Sequence, residues 1–271
     1  MKIARPIILW IPIFLLTAIQ VFPIASTLLS SVRTPQSFLS GLEWDLSHFS
    51  LENYRKVVLE DGFSKSLLTS IVVALCSGFA SVAAGAGTAY ALSKRTSQKV
   101  KVFGLALLIS RLVPPVAIAL PVFLLIQKLS LLDTYLGLIL AHTSLNFPFA
   151  VWLLLPFFKA IPEVFEQAAA LDGARGFSLF WHVVSPLALP GIIVAGVFCF
   201  LMSWNDFLFA LFLAGSDVKT APLLVNSYMT GFAPEWGPMS SASLLMLVPV
   251  FFFSLILQRK LTAGGLAGGM K

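Results

Sequence analysis

The chain has 271 residues, of which 58% are hydrophobic and only 11% are charged, and its formal net charge at pH 7 is +6. A soluble domain carries about 25% charged residues, so this composition excludes a water-soluble globule and indicates a protein that lies in a lipid bilayer. The positive charge does not indicate nucleic-acid binding, because the basic residues form short clusters beside apolar runs: Lys2 and Arg5; Lys94, Arg95, Lys99 and Lys101; Arg259 and Lys260.

Six apolar segments are long enough to cross a bilayer, since a membrane-spanning helix needs about 20 apolar residues. The first is too long for a signal peptide and is followed by no clear cleavage site, so it is interpreted as a span. The small residues of CSGFASVAAGAGTAYA predict close packing of the second span against another helix. We therefore predict an all-α membrane protein with one transmembrane domain, residues 1–271, and spans at 9–31, 67–92, 102–126, 137–158, 187–213 and 241–260.

The charges of the short loops predict the orientation of the spans. The loop 93–101 carries four basic residues and no acidic one, which assigns it to the cytoplasm. Six spans then place both termini and the segment 159–186 in the cytoplasm. The mixed-charge segment 32–66 is left outside.

The segment 159–186 contains the stretch EQAAALDGARG, residues 166–176. Pro162 suits a first helical turn, Glu163 and Glu166 favour a helix N-terminus, and Gly173 is placed to end the helix. The helix has a shallow apolar face, formed by Val164, Phe165, Ala168, Ala169 and Leu171. It could be an interfacial helix that only joins two spans, or a helix that docks into a groove on another protein. The small side chains favour docking, because membrane binding scales with buried apolar area.

EQAAALDGA followed by VVSP resembles the EAA loop of permease subunits of binding-protein-dependent ABC importers. The motif positions are Gln167, Ala168, Ala169, Gly173, Val183, Ser185 and Pro186. Gln167 stands where the family has glutamate, and Ser185 where it has leucine. The resemblance implies that this loop is a coupling helix that contacts a cytoplasmic ATPase through Glu166, Gln167, Ala168, Ala169, Asp172 and Gly173. Gln167 could hydrogen-bond in place of the glutamate, or Glu166 could replace it if the helix rotates. The second option is weaker, since adjacent residues point about 100° apart.

The resemblance extends over nearly the whole chain. LLDTYLGLIL, SWNDFLFAL and QRKLTAGGLAGGMK are similar to the carbohydrate branch of the family, whose smaller permease ends in a glycine-rich cytoplasmic tail, here 259–271. It implies a type I ABC importer permease fold in a prokaryotic inner membrane and import of a sugar or sugar derivative by alternating access. The implied partners are a second related permease, two ATPase subunits that hold ATP and Mg, and an extracytoplasmic solute-binding protein. This chain itself is expected to bind no cofactor.

Polar side chains inside spans are candidates for a substrate pathway, because such groups usually face a cavity or a partner. Trp204 beside Asn205 has the chemistry of a sugar site, whereas Asn205 and Asp206 could instead tie helices together or cap a kink. His142 and Asn146 share one helical face, and His142 could simply be interfacial. The candidates are Arg111, His142, Asn146, Trp204, Asn205 and Asp206.

Arg111 lies about ten residues, roughly 15 Å, from the inner surface. Asp206 lies about twenty residues from the same surface, so an Arg111–Asp206 pair is not favoured. Arg111 could bind an anionic sugar derivative such as a phosphate, sulfonate or uronate. Alternatively, it could bond free carbonyl groups near Pro114 and Pro115, or contact the partner permease.

The sequence carries no sign of an enzyme or of a metal site. It has no G-x-x-x-x-G-K-[ST] motif for ATP and no H-E-x-x-H motif, and its three histidines are scattered. The two cysteines, Cys76 and Cys199, fall in different spans and indicate no disulfide. The alternative function is an ATP-independent channel or secondary transporter, which the coupling-loop resemblance disfavours.

Overall fold

A computed structural model describes residues 4–34, 49–95, 97–229 and 233–268. Within these residues the chain is almost entirely helical, with a single antiparallel bridge between Arg33 and Phe49. The helices in chain order are α1 (Ala4–Ser31), α2 (Glu52–Arg55), α3 (Phe63–Lys94), α4 (Gln98–Ser110), α5 (Pro115–Lys128), α6 (Tyr135–Lys159), α7 (Glu163–Leu171), α8 (Phe177–Leu187), α9 (Leu189–Trp204), α10 (Leu208–Leu213), α11 (Ala221–Ser227) and α12 (Trp236–Gly268).

Four helical stretches have the length and apolar character of membrane spans: Pro12–Ser31, Phe63–Lys94, Tyr135–Lys159 and Trp236–Leu255. Two further pairs, α4 with α5 and α8 with α9, reach that length only together, and each pair is sharply bent. The expected tail at 259–271 begins inside α12, whose described backbone ends at Gly268. Its last three residues lie outside the described part of the chain.

The chain divides into two compact units, and the first comprises residues 1–65 and 224–248. In it the buried amide of Asn53 closes the end of α1 by donating to the carbonyl groups of Ser31, at 2.9 Å, and Arg33, at 2.8 Å. The Ser241 hydroxyl also donates to the Ser31 carbonyl. Carbonyl groups at a helix C-terminus have no partner within the helix, so these donors fix where α1 ends.

A second contact in this unit joins Tyr228, the residue after α11, to Asp61, which follows the π-helical turn Lys56–Glu60. The Tyr228 hydroxyl donates to Asp61 Oδ2 at 2.7 Å. Burial and the adjacent Asp61 carboxylate both raise the pKa of Tyr228 above its ordinary value, because each disfavours the phenolate. The hydroxyl therefore remains a donor throughout the physiological range.

The second unit, residues 66–223 and 249–271, is built around α3, α6 and α9. Its buried core includes small and aliphatic side chains, with Val82 and Ala89 of α3 in one cluster with Ala150 and Leu154 of α6, and also the aromatic ring of Phe158. The expected close approach of the second span is confirmed at Gly85. A methyl group built there would lie 2.8 Å from the Ala150 side chain and 3.3 Å from the Val151 backbone nitrogen.

The segment expected as a third span, 102–126, is two helices bent by 102°. The break lies at residues 111–114, between α4 and α5. Pro114 and Pro115 have no N–H groups, so the helix cannot continue its hydrogen bonds through them. Pro114 is extended, with ψ 133°, and Pro115 starts the new helix, where its missing N–H costs nothing.

The segment expected as a fifth span, 187–213, is also interrupted. Helix α9 ends at Trp204, and α10 begins at Leu208. Asp206 Oδ1 accepts hydrogen bonds from the backbone N–H groups of Phe209, at 3.0 Å, and Ala210, at 3.4 Å. A side-chain acceptor at this place starts a new helix, which explains the interruption inside an apolar stretch.

Asp133 joins the loop between α5 and α6 to the loop after α10. Its carboxylate accepts from the backbone N–H groups of Gly215, Asp217 and Val218 at 2.8 to 3.0 Å. Burial alone would raise the pKa of Asp133, but these backbone donors outweigh it, and the pKa lies below its ordinary value. Next to it, Thr134 caps α6 by accepting from Gly137 N–H at 3.0 Å. The stretch LLDTYLG therefore has a structural role.

Candidate coupling site and substrate pathway

Helix α7 ends as the sequence predicts. Gly173 has φ +87°, its N–H donates to the Ala170 carbonyl, and the Ala174 N–H reaches back to Ala169 at 2.9 Å. These two bonds form a Schellman motif, which requires a left-handed residue at the glycine position. Pro162 is the residue just before the first helical one, with ψ 136°.

Most of the apolar face of α7 is exposed. Leu171 is 91% exposed and Val164 62%, whereas Ala169 is 9% exposed. Phe165 and Ala168 are also exposed. Helix α7 therefore turns Ala169 inward and leaves an uncovered apolar surface of modest size on the opposite side.

Glu166 and Gln167 have different surroundings. The Glu166 carboxylate accepts a hydrogen bond from the Tyr90 hydroxyl at 3.0 Å and lies 2.8 Å from Lys94 Nζ. Oε1 has no aligned hydrogen-bond donor among the described residues, so its contact with Lys94 is an ion pair. Gln167 is exposed. The carboxylate next to the motif position thus points toward the end of α3, and the motif position itself points outward.

The substrate-pathway candidates fall into two groups, and the first is buried. His142 is 2% exposed and faces the protein interior; its Nδ1 lies 2.6 Å from the Ser203 hydroxyl and its Nε2 lies 3.3 Å from Asp206 Oδ1. The second contact has ion-pair distance without hydrogen-bond alignment. The Ser77 hydroxyl extends the cluster by donating to Ser203 at 3.0 Å. These contacts hold α3, α6 and the break after α9 together.

Asn146 and Trp204 belong to the same buried group. The Asn146 amide donates to the Cys199 carbonyl of α9 at 3.2 Å. Trp204 is 1% exposed and stacks on Phe200, with ring centroids 5.7 Å apart. Both side chains are occupied with packing α9 in this conformation.

Arg111 and Asn205 form the exposed group. Arg111 lies at the end of α4, at the bend, and its Nη1 donates to the Leu145 carbonyl at 3.3 Å. Its guanidinium group also lies over the Phe149 ring, 5.3 Å from the centroid. The carbonyl it contacts is on α6 and not near Pro114, and Asp206 is engaged elsewhere. Asn205 donates to the Leu201 carbonyl at 2.8 Å and is otherwise open to the surroundings.

Sequence reasoning did not single out Tyr90, Ser77 or Ser203, and it used Lys94 only as a member of a basic cluster. Tyr90 and Lys94 are four residues apart at the C-terminal end of α3, a spacing that puts both on one helix face. That spacing was available in the sequence. Ser77 and Ser203 are small and common in membrane helices, and only the tertiary structure shows that they meet.

The long apolar helices define a helical membrane protein, and α7 is an exposed short helix that follows one of its candidate spans. The chain belongs to the family of binding-protein-dependent transport system inner membrane components, whose model matches residues 81–263. Membership makes it a multi-pass inner-membrane protein and the translocation subunit of such a system, with ATP hydrolysis in a separate subunit. The predicted relation to these permeases is confirmed.

Two curated relatives match most of the chain. The trehalose transport system permease protein SugB of Mycobacterium tuberculosis is 34% identical, over 83% of this chain and 83% of the relative. The sulfoquinovosyl glycerol transport system permease protein SmoH of Agrobacterium fabrum is 32% identical, over 92% of this chain and 88% of the relative.

A solved structure shows the same fold. A bacterial ABC transporter involved in the import of the acidic polysaccharide alginate matches with a TM-score of 0.81 and 21% identity, covering 94% of this chain and 96% of that chain. The predicted all-α importer-permease fold is confirmed.

Proposed function

We propose that this chain is the membrane-spanning subunit of an ATP-driven importer of a sugar or sugar derivative. The observation that carries the proposal is α7: a nine-residue helix with an uncovered apolar surface and a terminus fixed by Gly173, contacting the end of α3. The trehalose and sulfoquinovosyl glycerol permeases that resemble this chain support a carbohydrate substrate.

The proposed assembly contains a second related permease, two cytoplasmic ATPase subunits and an extracytoplasmic solute-binding protein. ATP and Mg would be bound by the ATPase subunits. The exposed surface of α7, including Gln167 and Ala168, would dock into the ATPase, with both termini of this chain in the cytoplasm. Closure of the ATPases would push α7 and switch the spans between inward-facing and outward-facing states. Both ATP and the loaded binding protein would shift the equilibrium between these two states.

For the substrate pathway we propose Arg111 and Asn205, the two candidates with exposed side chains. The guanidinium group of Arg111 supplies donors suited to an anionic sugar, and Asn205 supplies both a donor and an acceptor for hydroxyl groups. His142, Asn146, Trp204 and Asp206 would position these groups by holding the interrupted fifth span against α6.

The assembly of this chain with its ATPase, partner permease and binding protein, reconstituted in proteoliposomes, tests the proposal with trehalose as the first sugar. We expect ATP-dependent uptake that Gly173→Pro abolishes while the spans stay folded, because proline cannot adopt the left-handed conformation at that position. Uptake without ATP or ATPase would instead identify a channel or secondary transporter. Full uptake by Gly173→Pro would contradict the docking role of α7.

A further inference from the structure

The inner end of α3 contacts α7 through one carboxylate. Glu166 receives a hydrogen bond from Tyr90 and an ion pair from Lys94, and both partners lie in the last turn and a half of α3. The two side chains of the ion pair are largely covered, with exposures of 26% for Lys94 and 16% for Glu166. Ion pairs shielded from water are screened less than those on an open surface.

Tyr90 also belongs to an aromatic cluster that reaches two more helices. Its ring lies 5.9 Å from that of Phe158, at the end of α6, and 5.6 Å from that of Phe180, in α8. The rings of Phe158 and Phe180 lie 6.2 Å apart. The group that binds Glu166 is thus itself packed between the two helices that enter and leave the coupling loop.

Gln167 and Glu166 face different surroundings, so the two side chains cannot make the same contact. Gln167 is exposed, and adjacent helical residues point about 100° apart. Docking of the exposed surface of α7 and contact of Glu166 with α3 can therefore occur together without rotation of the helix.

We propose that Glu166 is a positioning residue that fastens the coupling helix to α3, so that α7 and the second span move as one body. The inference rests on the proposed function, since α7 must receive a force for the fastening to matter. Glu166 does not replace the motif glutamate at the ATPase. When α7 is displaced, the contacts of Glu166 with Lys94 and Tyr90 transmit that displacement to α3.

Distance measurements between spin labels in the reconstituted assembly test the inference without a sugar. Labels at Ala91→Cys in α3 and Glu163→Cys in α7, with Cys76→Ser and Cys199→Ala, report the spacing of the two helices before and after trapping with ATP and vanadate. We expect one narrow distance distribution in both states for the otherwise unaltered chain. In Glu166→Gln, a displaced population should grow by at least about fivefold on trapping, the lower end of typical coupling between sites.

Three variants make the result specific. Gln167→Glu alters the charge of the adjacent, exposed position and should leave the α3–α7 distribution unchanged. The exchange Glu166→Lys with Lys94→Glu should restore the narrow distribution. Tyr90→Phe, which removes only the hydroxyl group, should give a smaller displacement in the same direction. If Glu166→Gln does not assemble, the distance distribution of Tyr90→Phe tests the inference instead.

An unchanged distribution in Glu166→Gln, loss of bound ATPase from that variant with the distribution intact, or failure of the exchange to restore the spacing would each overturn the inference. The proposed function is judged separately by ATP-dependent uptake in the unaltered assembly. A chain that imports no sugar but keeps α3 and α7 together would refute the function and leave the fastening intact.

Discussion

Replacement of Gly85 by alanine tests the packing of α3 against α6. The new methyl group would lie 2.8 Å from the Ala150 side chain and 3.3 Å from the backbone nitrogen of Val151. Carbon atoms pack best at about 3.5–4.0 Å, so the helices must separate, and backbone atoms cannot rotate away. Overpacking of this kind costs about 1–3 kcal/mol.

Gly87 is the matched control, because it lies two residues along the same helix and a methyl group there meets no described atom within 4 Å. Both substitutions gain the same helix propensity, about 1 kcal/mol, so that gain cancels between the two variants. The remaining difference of about 1–3 kcal/mol corresponds to an apparent Tm lower by about 2–12 °C for Gly85→Ala than for Gly87→Ala, at about 2–4 °C per kcal/mol.

Thermal unfolding of the purified chain in one detergent, at one scan rate, measures the difference, since the unfolding of large proteins is often irreversible. A Gly85→Ala chain as stable as Gly87→Ala would refute the close approach of α3 and α6. Equal destabilisation by both would show that Gly87 is also packed.

Asp133→Asn should lower the unfolding free energy at pH 7 by about 2 kcal/mol, because an amide cannot accept all three backbone hydrogen bonds of the charged group. The folded-state pKa of Asp133 lies below its ordinary value, so this stabilisation is present above the unfolded pKa of about 3.9 and is lost as the pH falls through the folded pKa. Unfolding of both chains from pH 7 down to pH 3 measures it, and a constant difference would contradict the role of the charge. Arg111→Gln should weaken import of a uronate-containing disaccharide by about tenfold or more while a neutral disaccharide is unaffected. Equal affinity of both chains for the anionic sugar in uptake assays would exclude Arg111 as its contact.

The composition and the basic clusters determined the membrane class. The apolar runs located the four continuous candidate spans, because hydrophobic length reports directly on bilayer crossing. The small residues around Gly85 predicted close packing correctly. Gly173 was also identified, since only a left-handed residue ends the helix in that way. Apolar length, runs of small residues and helix ends each depend on residues close together in the chain, so the sequence alone is enough to predict them.

Only the tertiary structure decided what each polar side chain contacts. Pro114 marks the 102° bend in the expected third span, and Asp206 marks the interruption of the expected fifth span. The hydrophobic pattern of the sequence showed neither break. His142 is buried against Ser203, which lies 61 residues away. Whether Glu166 points to the ATPase or to α3 depends on the rotation of α7, and that rotation is fixed by Tyr90 and Lys94 on another helix.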